Sequence, residues 1–206
     1  MSFPYRVTVS RTVQETVKEK DQSKNKIDLT PILESGRMRD LLTDALKKKG
    51  FKEESDGTLV RTKDGVTEVF DPKSMEVTTS AEVAGEIKKG KTIEARGDSW
   101  RREEAEKSRQ HVENEVGARL EKELAVTDAE RQEKKRELAS EAAKRLSDSE
   151  KSRMTDLNEA TLDVYAEALK EKAKTLGEVK EVHENRKDNG AGGTDYELVI
   201  KVGDDS

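Results

Sequence analysis

From Asp98 to Leu176 the sequence contains a single glycine, Gly117, and no proline. So long a stretch without a backbone breaker reads as helix, because Gly and Pro are the residues that most reliably interrupt one. Its apolar residues fall in narrow stripes. Met154, Leu157, Thr161, Val164 and Ala168 follow three-four spacing, and Val116, Leu120 and Leu124 step by four. Leu138, Ala142 and Leu146 form a third stripe, out of register with the one that starts at Met154. Two capping-box sequences, Thr127-Asp128-Ala129-Glu130 and Ser147-Asp148-Ser149-Glu150, mark candidate breaks inside the run; Asp98 or Ser99 can cap its start and Gly177 can close its end. Glu103–Lys107, Glu130–Lys134 and Glu141–Arg145 add i,i+4 pairs, each worth about 0.2–0.5 kcal/mol. The chain is 41% charged and 31% hydrophobic, against roughly 25% charged for an ordinary domain. A helix this polar is expected to project from the core, or to pair along its seam, as a coiled-coil-like arm.

The chain on either side of the arm reads mainly as strands. Phe3, Tyr5, Val7, Val9, Val13 and Val17 alternate with polar residues, the signature of a strand with one buried face. Arg11 and Glu15 interrupt that face, which predicts a strand that leaves the core or bulges in its second half. Lys18–Lys26 then reads as a loop and Ile27-Asp28-Leu29 as a short strand before Pro31. From Glu34 to Lys49, Met38, Leu41, Leu42, Ala45 and Leu46 share a helical face, and Gly50 follows as a stop. Turn signals at Ser55-Asp56-Gly57, Lys63-Asp64-Gly65 and Asp71-Pro72-Lys73 separate short β-prone runs, which predicts an antiparallel meander with Leu59, Val66, Phe70, Met75 and Val77 in its core. Glu178–Glu184 is strand-like, and Tyr196, Leu198, Ile200 and Val202 alternate in a closing strand.

Together these readings predict an α+β fold: a small, mostly antiparallel sheet with one packed helix, interrupted by the charged helical arm, with the C-terminal strand returning to the sheet. The expected division is a discontinuous domain of residues 1–87 and 178–206, a glycine-punctuated connector at 88–97 and the arm at 98–176.

Several classes of function are disfavoured. Zero cysteines remove disulfides, thiolate nucleophiles and Cys-based metal sites. The first residues lack a basic segment followed by an apolar one, and no run approaches the ~20 apolar residues of a membrane span, so a soluble, cytoplasmic protein without a membrane role is expected. The 45 acidic and 40 basic residues are interspersed, whereas nucleic-acid binders concentrate their cations on one face. His111 and Glu115 lie four apart on a predicted helix, but two ligands do not make a zinc site. Gly190-Ala191-Gly192-Gly193 lacks the Gly-Lys-Ser/Thr that completes a phosphate loop and precedes a strand, so a hairpin turn is expected there. No catalytic constellation emerges, and neither an enzymatic activity, a cofactor nor a metal is expected.

Trp100 differs in kind. It is the single tryptophan and stands beside Arg101 at the start of the arm, where it can either pack as a helix-start staple or contact a partner. Leu157 and Val164, seven apart on the seam, are further candidates for contact with another segment of the arm or a second chain. The leading expectation is a non-enzymatic interaction or adaptor protein; a coiled-coil protein that self-assembles through the arm is the alternative, and an enzyme of unrecognised type the remote one.

Three runs, Tyr5-Arg6-Val7-Thr8-Val9, Ile27-Asp28-Leu29-Thr30-Pro31-Ile32-Leu33 and Leu157-Asn158-Glu159-Ala160-Thr161, resemble bacterial accessory proteins of the ternary systems built around an FtsH-type or MoxR-type AAA ATPase and a von Willebrand A domain protein. The resemblance implies a non-catalytic component with an AAA ATPase or a von Willebrand A domain protein as partner. The chain has no Walker motif of its own.

Overall fold

The structure is a computed structural model that describes residues 3–188 and 194–203. In chain order the elements are β1 (Phe3–Lys26), α1 (Ser35–Lys48), β2 (Lys52–Glu53), β3 (Leu59–Lys63), β4 (Val66–Asp71), β5 (Glu76–Ser99), α2 (Arg102–Leu124), α3 (Asp128–Leu176), β6 (Glu178–Asp188) and β7 (Thr194–Gly203). The first five strands form an antiparallel sheet in the order β1-β5-β4-β3-β2, and β6 and β7 form a second sheet of two strands. The fold is therefore α+β with a long charged helix. β7 does not return to the first sheet as the sequence suggested. It pairs antiparallel with β6, with Val182 opposite Ile200 and Glu184 opposite Leu198. A partner adjacent in sequence closes a shorter loop than a strand at the other end of the chain would, so its entropic cost is lower.

The chain divides into two compact units, residues 1–19 with 83–140 and residues 20–82 with 141–206. In the first unit, Val7, Val9 and Leu120 are buried together, with Tyr5, Ile93, Ala95, Val112 and Val116 packed around them. The Val116/Leu120/Leu124 stripe of α2 thus covers a β ribbon. Arg11 and Glu15 do not end the strand. Glu15 accepts two hydrogen bonds from Arg131 of α3, at 2.7 and 3.0 Å, and Arg11 pairs with Glu121 of α2 at 3.8 Å. The inward alternation of β1 continues as charge because the helix above supplies the opposite charges.

Residues 88–97, expected to be a connector, continue β5. Their glycines read as breakers, yet Gly97 is fixed by a close approach: a Cβ there would lie 2.5 Å from the Tyr5 ring. The stretch 18–26, expected to be a loop, likewise belongs to β1, whereas Ile27-Asp28-Leu29 is not a strand. Helix α2 starts after Arg101 rather than at Asp98 or Ser99, which lie in β5. Of the two capping boxes only Thr127 begins a helix. Its backbone N–H and hydroxyl donate to Glu130 at 2.9 Å, and Glu130 N–H donates back to the Thr127 hydroxyl at 3.3 Å. Ser147 lies inside the continuous α3.

The second unit holds the larger apolar core. Met38, Leu41, Leu42, Ala45 and Leu46 of α1 pack with Phe51, Leu59, Phe70 and Val77, and with Leu157, Ala160, Val164 and Ala168 of α3. The seam expected to line a projecting arm is thus buried against the chain's own sheet and first helix. A helix that is polar over most of its surface can still lie on a core when one narrow stripe faces inward. The predicted meander is present, and Asp64 (φ 53°) and Gly65 (φ 76°) form its β3–β4 turn, both in the left-handed conformation that two-residue hairpins favour. Tyr196, Leu198 and Ile200 of β7 are half-buried, and Val202 is exposed. The predicted turn at Gly190-Ala191-Gly192-Gly193 lies outside the described residues.

Candidate functional site

Alternation in the meander places three polar side chains on the core face of the sheet. In β3, Leu59 and Arg61 point inward; in β4, Val66, Glu68 and Phe70; in β5, Val77, Thr79 and Ala81. The strand register sets Arg61 opposite Glu68 and Glu68 opposite Thr79, which makes a row across three strands. Burying ionised groups is costly unless they are paired and hydrogen-bonded, and here α3 and the end of α1 supply further partners to Arg61. Arg61 donates from Nε to Glu68 Oε2 at 2.8 Å, and from one terminal nitrogen to Asp156 of α3 at 2.8 Å and to the Lys49 carbonyl at 3.0 Å. Its guanidinium also lies 4.7 Å from the centre of the Phe51 ring. Burial pushes the Arg61 pKa down, but the hydrogen bonds and charges of Glu68 and Asp156 outweigh it and hold the pKa above its ordinary value.

Arg153 completes the set from α3. It donates to Thr79 Oγ1 at 2.8 Å, to Ser149 Oγ at 3.0 Å and to the Leu146 carbonyl at 3.1 Å. A cavity of about 290 Å³ adjoins this network, and Glu68, Arg153, Asp156 and Ser149 help line it. The row was readable in principle from an Arg and a Glu at inward positions of neighbouring predicted strands. The weight of acidic residues elsewhere hid it, because a carboxylate signals a site only when its position in the pleat is known.

The candidates named from sequence are not brought together. Leu157 and Val164 are buried in the core of the second unit, 7% and 1% exposed, so their neighbours are residues of this chain. Trp100 stands at the bend after β5 and is 80% exposed, with no staple contact to cover it. Arg101 follows as the residue that caps α2, extended at φ −126° and ψ 140°, and its guanidinium lies 3.7 Å from Glu104. His111 lies 3.9 Å from Glu115 and both are exposed. Among the described residues no group of three or more His, Cys, Asp or Glu side chains is placed to hold a metal, and no helix is long and apolar enough to cross a membrane.

The family described as FtsH ternary system domain X5 matches residues 1–203. The chain belongs to this family. The ternary-system resemblance drawn from the Tyr5–Val9, Ile27–Leu33 and Leu157–Thr161 runs is therefore correct. Membership makes the chain a component of an FtsH ternary system, which implies partnership with other proteins of that system. No curated protein and no solved structure matches the chain. Set on the X5 fold, the three runs fall at the start of β1, at the approach to α1 and on the buried stripe of α3. All three runs lie at scaffold positions, and Trp100 lies outside them although within the matched residues.

Proposed function

We propose that this X5 domain is a non-enzymatic adaptor that contacts a partner of its ternary system, the FtsH-type ATPase or a von Willebrand A domain protein, through the corner formed by Trp100, Arg101 and Arg102. The observation that carries this reading is the exposure of the single tryptophan, 80%, beside an arginine whose side chain is 81% exposed. Trp and Arg dominate binding hot spots, because a large ring buries much apolar area at low entropic cost and a guanidinium offers several donors. Neither residue contributes to a core of the chain, so a contact role does not compete with a folding role.

Because Trp100 is the only tryptophan, its fluorescence reports the contact directly. Mixing the full chain with the purified ATPase or the von Willebrand A protein of the same system is expected to shift Trp100 emission to the blue with a saturable profile. Trp100→Ala should weaken binding by about 30-fold or more, the effect of a hot-spot residue worth about 2 kcal/mol, and leave the melting temperature unchanged. Binding of unaltered strength by Trp100→Ala would remove this corner from the interface.

A further inference from the structure

The cavity of about 290 Å³ over the β3–β5 row carries two buried groups whose bonding is incomplete. Glu68 is 2% exposed; its Oε2 is held by Arg61, but its Oε1 has no hydrogen-bond partner among the described residues. Arg153 is 8% exposed and bonds only neutral oxygens, those of Thr79, Ser149 and Leu146; no carboxylate pairs with it among the described residues. Both residues line the cavity, and both adjoin Thr79, Glu68 as its cross-strand neighbour and Arg153 through the hydrogen bond. A buried carboxylate oxygen without a donor costs free energy, as does a guanidinium that spends only part of its donor capacity away from water. One group presented to the cavity can relieve both.

We infer that this cavity binds a carboxamide, the side-chain amide of glutamine or asparagine, with its carbonyl accepting from Arg153 and its NH2 donating to Glu68 Oε1. The sign of the local charge selects a neutral ligand. Lys63, Arg145 and Arg153 of the cavity lining, with the adjoining Arg61, balance Asp64, Glu68, Asp148 and Asp156, so neither an anion nor a cation gains from entering. An anion would meet the Glu68 oxygen, and a cation would meet the Arg153 guanidinium. A carboxamide carries its acceptor and its donor on separate atoms and can face both groups at once. At the cavity wall the hydroxyl-bearing Ser152 is exposed on α3 and leaves a side through which such a group can pass. The amide can belong to a free amino acid or to a residue of a polypeptide, and the two share this chemistry. The inference rests on the second unit alone and stands whether or not Trp100 contacts a partner.

The test uses the full chain labelled with ¹⁵N, reading the Arg153 Nε–H resonance and the Glu68 and Thr79 amides. The probes are glutamine, glutamate and methionine, each as the free amino acid and as the central residue of an acetylated, amidated Gly-X-Gly peptide. Saturable shifts are expected with glutamine in at least one format, with glutamate and methionine at least about tenfold weaker, because a site built for a hydrogen-bonding group rejects analogues that lack it. The responding format tells a free amide from a side chain on a polypeptide. Ser152→Phe blocks the cavity from an exposed helical position that carries no core contact, so it should abolish the shifts while the spectrum stays folded. Equal shifts with glutamate or methionine, no shifts with any probe, or unaltered glutamine binding in Ser152→Phe would each overturn the assignment.

Discussion

The two compact units both lay a charged helix over β strands, and they treat charge in opposite ways. In residues 1–19 with 83–140 the pairs stay wet: the Arg131 and Glu15 side chains are 40% and 35% exposed. In residues 20–82 with 141–206 the corresponding pair is dry, with Arg61 and Glu68 at 8% and 2%. The first unit also buries few large side chains, mainly valines around Leu120, whereas the second buries Phe70, Leu42, Leu46 and Leu59 completely. A unit with a full apolar core can carry a costly polar row. One with a thin core spends its charges at the surface, where each pair adds about 0–1 kcal/mol and leaving one unpaired costs little.

The sharpest test of that contrast removes one arginine from each unit. Arg61→Met leaves Glu68 buried without its partner and should destabilise the chain by about 3–5 kcal/mol, while Arg131→Met should cost at most about 1 kcal/mol. Restoring neutrality with Arg61→Met together with Glu68→Leu should recover most of the loss, since an apolar pair of similar volume replaces a buried ion pair at little cost. Urea unfolding of the four proteins measures this. Similar losses for the two single variants would erase the distinction between dry and wet pairs.

A second test separates the buried stripe of α3 from its exposed neighbour. Leu157→Ala should cost about 2–5 kcal/mol as a core truncation, and Met154→Ala, at a position 41% exposed, about 0.5 kcal/mol or less. If the two variants melt together, Leu157 is not part of the core formed with α1.

These same residues show what was legible in the sequence. The three-four spacing of Leu157, Val164 and Ala168 revealed a seam, but spacing does not name the surface opposite, and that surface, α1 and the meander, lies far away in sequence. The meander and α1 were readable because turn chemistry and periodicity are local signals. The second half of β5 was not, because its inward positions from Gly85 onward mix Ile87 and Ile93 with Gly85, Lys89, Ala95 and Gly97, and carry no regular apolar alternation. The closing pair went wrong for a related reason: alternation shows that a strand has a buried face but not which strand it pairs with. Arg61, Glu68 and Thr79 were missed as a set because their relation exists only once the register of three strands is fixed. Trp100 was visible at once as a unique residue, whereas its exposure follows from the geometry of the bend.

The smallest effect is expected at the break between α2 and α3, and its sign can be worked out. Glu130 receives a hydrogen bond from Lys89 and two from Thr127, and these hold its carboxyl well below the ordinary value of 4.5, at about 2. A carboxyl whose folded pKa is depressed stabilises the folded state fully above its unfolded pKa and loses that contribution as pH falls through the folded value. The latch should therefore be intact at neutral pH and weaken between about pH 4.5 and 2. Other carboxylates of the first unit, Glu15, Glu86 and Glu123, are also held below their ordinary values, so the total acid response does not isolate this site. The difference between the wild-type chain and Glu130→Gln does. That difference should be constant above about pH 5 and shrink towards pH 2, with the most affected amide protection in the first turn of α3, where the capping box closes the helix. A difference that stays constant down to pH 2 would mean that the Glu130 charge does not hold the break, and that Thr127 caps α3 through its hydroxyl alone.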